Sequence, residues 1–406
     1  MKRFVCLFAS LALAGCASNQ IETPEPVVDP GFELSAAGIA TMFARLPMGL
    51  PQLNEVYDAV GRSCGNGYDE EYMLDSLMAA PGAGVGPSSC PTGTPSSCPT
   101  RSGVSASSSY EKPLRDLVRE YVSAHARTRA GAEDILLLLE ESGYQIYWPY
   151  SEDWDGSTFP VITYDPGYGA ESNVGWALAP GPDGTACITD TLTVTEAVAL
   201  TRPVWVINSN SDAAFTPLEL FTRTAFCEME TGRVSQDRGR PWPRERGAAK
   251  QRRLMLKSFK MLRQYDSWFG GASEFFVKCG SVEGWTSSTD AELKLFNIGV
   301  TDFMIVVKRK YVGKELPFDA IMVTDFTSQL DKLAFLIVED DGGARTNWKC
   351  QAMVKIQSKS YGVELDIPYN EKDDIVWRGQ LSARFFEEED TVTGRFGDVV
   401  CKFELE

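Results

Sequence analysis

The sequence predicts a multidomain chain in which an N-terminal α+β domain is followed by an all-β sandwich. Three observations lead there. At 406 residues the chain exceeds what one ordinary core holds, at roughly 150 residues per domain. Apolar residues recur at helical spacing as far as Ser142 and then switch to short strand-like runs separated by turn residues. Beyond Arg252 such runs continue to the C-terminus without a convincing helix, which is the pattern of a sandwich. A composition of 43% hydrophobic, 23% charged and 11% aromatic residues is that of a chain that mostly folds in water.

The α+β domain, residues 32–234, opens with two short helices. Ile39, Met42, Phe43 and Leu46 share one helical face, and Leu53, Val56, Tyr57 and Val60 repeat the pattern after Pro47 and Pro51. Residues 81–109 are rich in Gly, Ser, Pro and Thr and carry PSSCPT twice, which reads as an exposed, disordered loop. Leu114, Leu117, Val118, Tyr121 and Val122 then mark an amphipathic helix with His125 beyond its stripe. Ala132 to Ser142 reads as a more buried helix stopped by Gly143.

Five strands follow, at Tyr144–Tyr150, Phe159–Tyr164, Val174–Leu178, Ala186–Val194 and Pro203–Asn208. Turns such as Asp155-Gly156, Pro166-Gly167 and Asp183-Gly184 separate them, so a small meandering sheet packed by the helices is expected. Thr216, Pro217 and Glu219 match a capping box opening a short helix toward Phe226. Residues 235–251 read as a basic linker, within a stretch to Arg263 that holds ten Lys or Arg against two acids. In 252–406 about nine strands are expected: Leu254–Leu262, Glu274–Cys279, Asp302–Lys308, Ala320–Phe326, Leu333–Val338, Cys350–Ile356, Val363–Ile367, Gln380–Phe386 and Val399–Leu405.

Charge and composition exclude whole classes of function. A formal charge of −17 opposes nucleic-acid binding, which needs a concentrated positive field. The single histidine, His125, excludes HExxH zinc proteases and multi-histidine metal centres. No phosphate loop, dinucleotide glycine pattern or GxSxG nucleophile turn is present.

The first residues give an address. Lys2 and Arg3 precede an apolar run from Phe4 to Leu13, too short to span a membrane, which takes about 20 residues. The run ends in Leu13, Ala14, Gly15 and Cys16, a tetrapeptide that resembles the lipobox of bacterial lipoproteins. That resemblance implies a signal peptide over residues 1–15 and diacylglycerol on the Cys16 sulfur, usually with a third chain on the new amino group. Two or more acyl chains anchor a protein stably. Residues 16–31, with Pro24, Pro26 and Pro30, would be a lipidated tether. Ala17 in place of aspartate favours the outer membrane, by resemblance to the enteric sorting rule, with the folded part facing the periplasm or the outside. The expected function is therefore a cell-envelope lipoprotein held to the bilayer through Cys16, acting as a surface binding or scaffolding protein for a glycan or an envelope protein.

The block order after residue 264 loosely resembles a C2-type sandwich, whose loops at one end often hold calcium between carboxylates. Asp266, Gly270, Gly271, Ser273 and Glu274 resemble a first acidic loop and the start of the strand after it. Leu333–Val338 followed by Glu339, Asp340, Asp341 and Gly342 resembles a second, and Asp373-Asp374 through Arg378-Gly379 a later one. The resemblance implies calcium at Asp266, Glu274, Glu339 and Asp341. Glu274 departs from the usual aspartate, and an extra hairpin from Thr346 to Ile367 separates loops that should be close.

A second constellation sets aromatics beside acids. Strand alternation places Tyr144, Ile146, Trp148 and Tyr150 on a core face and leaves Tyr147 and Trp154, with Asp155, as candidate glycan-binding residues. The alternative function is a hydrolase of glycan or peptide that works without histidine, using carboxylates such as Glu152, Asp153 or Asp155. Of ten cysteines, Cys90 and Cys98 are close enough to pair, with Cys64 as competitor. Cys279, Cys350 and Cys401 fall in phase with apolar neighbours and read as buried, as thiols or as one bridge and a spare.

Overall fold

The computed structural model describes residues 34–79, 112–126, 129–167, 169–210, 217, 252–283, 297–387, 389 and 391–406. The lipobox with Cys16, the tether, the repeated loop with Cys90 and Cys98 and the basic linker lie outside the described residues, and of the helix expected toward Phe226 only Pro217 is described, in a parallel β-bridge with Met304 rather than a helical turn. Among the described residues no helix is long and apolar enough to cross a membrane.

Ser35 starts the first helix. Its Oγ accepts from Gly38 N at 3.1 Å, and α1 (Ala36–Arg45) turns Ile39, Met42 and Phe43 inward. In α2 (Leu50–Gly65) Pro51 sits in the first turn, where its missing N–H costs nothing, and Gly49 N donates to Gln52 Oε1 at 2.7 Å. A short strand β1 (Glu71–Met73) runs into α3 (Leu74–Met78), and α4 (Leu114–His125) and α5 (Arg129–Glu140) complete the helical layer. His125 is exposed at the end of α4, stacked on Tyr121. α5 corrects one expectation. Leu137 and Leu138 are 54% and 49% exposed, because four consecutive leucines cannot share one face at 100° per residue, and only Leu139 of that pair of turns is fully inward.

After Gly143, at φ +69°, the chain enters the sheet: β2 (Tyr144–Tyr147), β3 (Val161–Tyr164), β4 (Asn173–Pro180), β5 (Ala186–Val194), the one-turn α6 (Glu196–Ala199) and β6 (Val204–Ser209). The spatial order is β1-β2-β6-β3-β4-β5, with β6 antiparallel to β2 and parallel to β3. A simple meander is therefore overturned. Val204, Trp205, Val206 and Ile207 are all fully buried, and a strand apolar on both sides belongs in the middle of a sheet. Ile146, Ile162, Leu178, Trp205 and Ile207 face the helices, and Tyr147, Val161, Ala177, Val204 and Val206 face the other way.

The C-terminal part is almost entirely β. Its strands are β7 (Leu254–Met261), β8 (Ser273–Glu283), β9 (Asn297–Val307), β10 (Leu316–Val323), β11 (Leu330–Glu339), β12 (Arg345–Ile356), β13 (Lys359–Asn370), β14 (Asp374–Ser382), β15 (Thr391–Phe396) and β16 (Val399–Leu405). One curled sheet has the order β10-β7-β16-β15 and the other β13-β12-β11-β8-β9, with β14 also on β11. Both contribute to one core, Phe259, Cys401 and Phe403 meeting Phe275, Phe335 and Ile337. Leu333 through Val338 are buried without a break, so β11 is covered on both faces.

Two strand assignments change. Gln380–Phe386 breaks at Ser382 into the end of β14 and a short helix, α7 (Ala383–Glu387), which turns Phe386 into the core against Phe403. β15, hidden by the Gly394 interruption of its alternation, is an additional strand. Cys279 and Cys401 are buried and Cys350 half-buried, and Cys64, Cys187, Cys350 and Cys401 are free thiols. Phe335→Ala is expected to lower unfolding free energy by about 3–5 kcal/mol in urea titration, because it empties the centre of this core. Ile188→Ala on the exposed edge strand β5 should stay within about 0.5 kcal/mol of wild type.

Candidate metal centre

Strand pairing assembles an acidic knot at one end of the C-terminal lobe. Antiparallel register sets Glu339, the last residue of β11, opposite Phe275, and Asp340 N donates to Glu274 O at 2.9 Å. The turn leading into β8 brings Asp266 alongside. One carboxylate oxygen from each of Asp266, Glu274 and Glu339 lies within 4.8 Å of the other two. Glu339 is 1% exposed, and neither its Oε1 nor Asp266 Oδ2 has a hydrogen-bond partner.

Three carboxylates so placed cannot all stay ionised unaided. Burial first, then a hydrogen bond with the Asp266 carboxyl, and then the charges of Asp266, Asp341 and Asp374 push Glu339 up to about 11. Burial likewise raises Asp266, and Asp341, exposed as a residue but with its carboxyl partly enclosed, is raised to about 6 by that enclosure and by the charges of Asp266 and Asp374. Either a proton or a cation must offset the charge. The triad could hold a metal ion, and its donors are all carboxylate oxygens, without imidazole or thiolate.

Three of the four residues expected to bind metal thus come together. The fourth, Asp341, is exposed on the following turn and adds negative potential to the site. The hairpin β12–β13 does not keep the later acidic loop away. It returns the chain so that Asn370 Nδ2 donates to Asp340 Oδ1 at 2.9 Å and Lys372 N to Gly342 O at 3.3 Å. Asp373, buried beside Asp340, is raised to about 6 mainly by that burial.

The same turn joins the two lobes, which sequence reasoning missed. Trp268 and Phe269 are fully buried against Tyr147, Val161, Val204 and Val206, on the sheet face opposite the helices. Trp268 Nε1 donates to Glu171 O at 3.1 Å, and Asn208 Nδ2 donates to Phe269 O at 3.0 Å and Gly270 O at 2.8 Å. Ala272 N donates to Asp69 Oδ2 at 2.8 Å. Gly271 is required there, since its φ is +119° and a Cβ would stand 2.8 Å from that oxygen. Arg309 binds Glu196 at 2.7 Å and donates from Nη1 to Asp266 O at 3.1 Å, and Lys310 pairs with Glu152 and Glu70. The available signal was Trp268-Phe269 itself, two large aromatics in a turn between acids.

That docking corrects the second constellation. Tyr147 is 1% exposed and packs beneath the Trp268-Phe269 turn, because the sheet is covered on both faces rather than one. Trp154 and Asp155 do border a cavity of about 130 Å³, with Trp148, Tyr150 and Arg202. Both have local duties. Trp154 packs on Tyr57 and Trp148 at 5.2 Å between ring centres and donates from Nε1 to Thr158 O. Asp155 accepts from the hydroxyl and amide of both Thr158 and Ser157, and those bonds hold it well below the usual carboxylate range. Burial opposes ionisation of Glu152, but hydrogen bonds with Glu70 and Lys310 bring it down to about 2, so neither acid is poised as a general acid.

Comparison with known proteins matched the chain to no family model, no curated protein and no solved structure.

Glu70 gives the junction a pH dependence. Burial, then the neighbouring Asp69 carboxylate, raise it to about 8, against the opposing charge of Lys308. A carboxyl held above its unfolded value contributes stability in full below that value, near 4.5, and loses it as pH rises toward 8. The melting temperature of wild type is expected to fall between pH 5 and pH 8 more steeply than that of Glu70→Gln, and parallel curves would show that Glu70 does not titrate there.

Proposed function

We propose that the chain is a lipid-anchored envelope protein whose C-terminal lobe binds calcium at Asp266, Glu274 and Glu339 and which serves as a surface binding or scaffolding protein. The observation that carries the cation reading is Glu339, an almost wholly buried carboxylate whose Oε1 has no hydrogen-bond partner, in a knot with two further acids. A carboxylate-only donor set suits a hard cation. Calcium takes six to eight oxygens at flexible geometry and accepts bidentate carboxylates, whereas magnesium keeps much of its own water and fits poorly where a ligand is this deeply buried. The exposed Asp341 offers an outer carboxylate on the solvent side. A C2-like relation among the acidic loops supports the same reading, since it would gather them at one end of a sandwich.

Anchoring rests on the lipobox Leu13-Ala14-Gly15-Cys16. Acylation there would hold the two lobes at a membrane surface on a proline-containing tether, where a cation-stiffened module can present a fixed face to a partner.

In thermal and urea unfolding of the full chain in detergent, calcium at about 100 times its Kd is expected to add about 2.7 kcal/mol of stability, and a chelator to remove it. Glu339→Gln should abolish that increment while leaving the metal-free protein folded, because the amide replaces a protonated acid of the same shape. A midpoint indifferent to millimolar calcium would sink the cation reading. For the anchor, Cys16→Ser is expected to move the protein from the membrane fraction to the soluble one and to remove the acyl mass from the N-terminal peptide.

A further inference from the structure

The cation ligands and the contact between the lobes belong to one short piece of chain. Asp266 and Glu274 stand at the two ends of a nine-residue segment, and their carboxylates meet with Glu339 inside a 4.8 Å neck. Between them lie Trp268 and Phe269, buried on the N-terminal sheet. Three residues of the other lobe also hold this segment: Asn208 binds the backbone at Phe269 O and Gly270 O, Asp69 binds it at Ala272 N, and Glu171 O accepts from the side-chain Nε1 of Trp268. Arg309, bonded to Asp266 O, is itself paired with Glu196 of the N-terminal lobe.

The neck is the weak point of this device. Without a cation the Asp266 and Glu339 carboxyls meet through a shared proton and repel once both are ionised, while Gln264 Nε2 on Gly271 O and Tyr265 N on Ser273 Oγ hold the turn itself. A cation shared by Asp266, Glu274 and Glu339 converts that repulsion into attraction and fixes Asp266 and Glu274 to the end of β11.

Building on the cation reading above, we propose that calcium at the Asp266, Glu274 and Glu339 neck clamps the Trp268-Phe269 turn against the N-terminal sheet, so that cation occupancy controls the docking of the two lobes. The ligand site and the docking surface are then linked sites. Whatever calcium adds to docking, docking adds to calcium affinity by the same factor. The partner of the site is thus the chain's own sheet face formed by Tyr147, Val161, Val204 and Val206.

The test measures calcium binding by calorimetry and docking by hydrogen exchange, both on the full chain in detergent. Calcium is expected to slow amide exchange in Val204–Ser209 and in Trp268–Ala272 at least fivefold, although β6 holds no ligand. Asn208→Ala and Trp268→Phe, which alter the docking contacts and leave all three carboxylates, are expected to weaken calcium binding about fivefold or more, the low end of ordinary coupling. Two variants are used because one may lose its fold, which circular dichroism would report. Calcium binding at wild-type affinity in both folded variants, with exchange in β6 indifferent to calcium, overturns the coupling and leaves the cation reading standing. Absence of any calcium heat in wild type overturns both.

Discussion

The N-terminal sheet has two apolar faces and only one layer of helices. Val204 through Ile207 alternate between those faces and none of the four touches solvent. A face bearing Tyr147, Val161, Val204 and Val206 would cost on the order of 1.5–3 kcal/mol per large side chain if left in water. Trp268 and Phe269, contributed from the far side of the chain, cover it. Much of the rest of the structure follows from that need for a cover: why the turn before β8 is long, why it contains aromatics, and why polar groups crowd around its base.

Those polar groups are expensive to bury, and the structure offsets the cost by pairing most of them across the junction. Arg309 answers Glu196, Lys310 answers Glu152 and Glu70, and Asp69 accepts the Ala272 amide. Half-buried ion pairs of this kind contribute little net stability, since solvent screening and desolvation take back most of the attraction. What they give is orientation, because an apolar contact alone would let the Trp268-Phe269 turn settle in more than one pose. Asp266 Oδ2 and Glu339 Oε1, like Asp69 Oδ1 and Glu70 Oε1 at the junction, keep no hydrogen-bond partner, and the first two lie where the turn closes on itself.

The strands of the C-terminal lobe were legible because each is a short apolar run between turn residues, and the edges of Ala186–Val194 and Val399–Leu405 can be read from the sequence without error. The acidic knot was legible too. Asp266, Glu274 and Glu339 flank predicted strands, so a sandwich brings them to one end. What could not be read were contacts between distant segments. Tyr147 alternates like a solvent-facing residue, and only a turn more than a hundred positions later makes it core. The β3–β6 parallel pair escaped because turn residues announce where a chain bends and not which strand it will lie beside. Phe385 and Phe386 look like strand residues until the core at Phe403 and Phe326 draws the chain into a helical turn.

β6 is the last strand of the N-terminal sheet in sequence and its centre in space. Until Val204–Ser209 has been made, β1–β2 on one side and β3–β4–β5 on the other are two separate fragments, each with a raw edge where β6 will sit. Hairpin β4–β5 can close locally, but joining the fragments waits for a keystone that arrives some sixty residues after β2. During synthesis the helical layer therefore has only half a floor, and a chain released early would present two adhesive edges in place of a finished sheet.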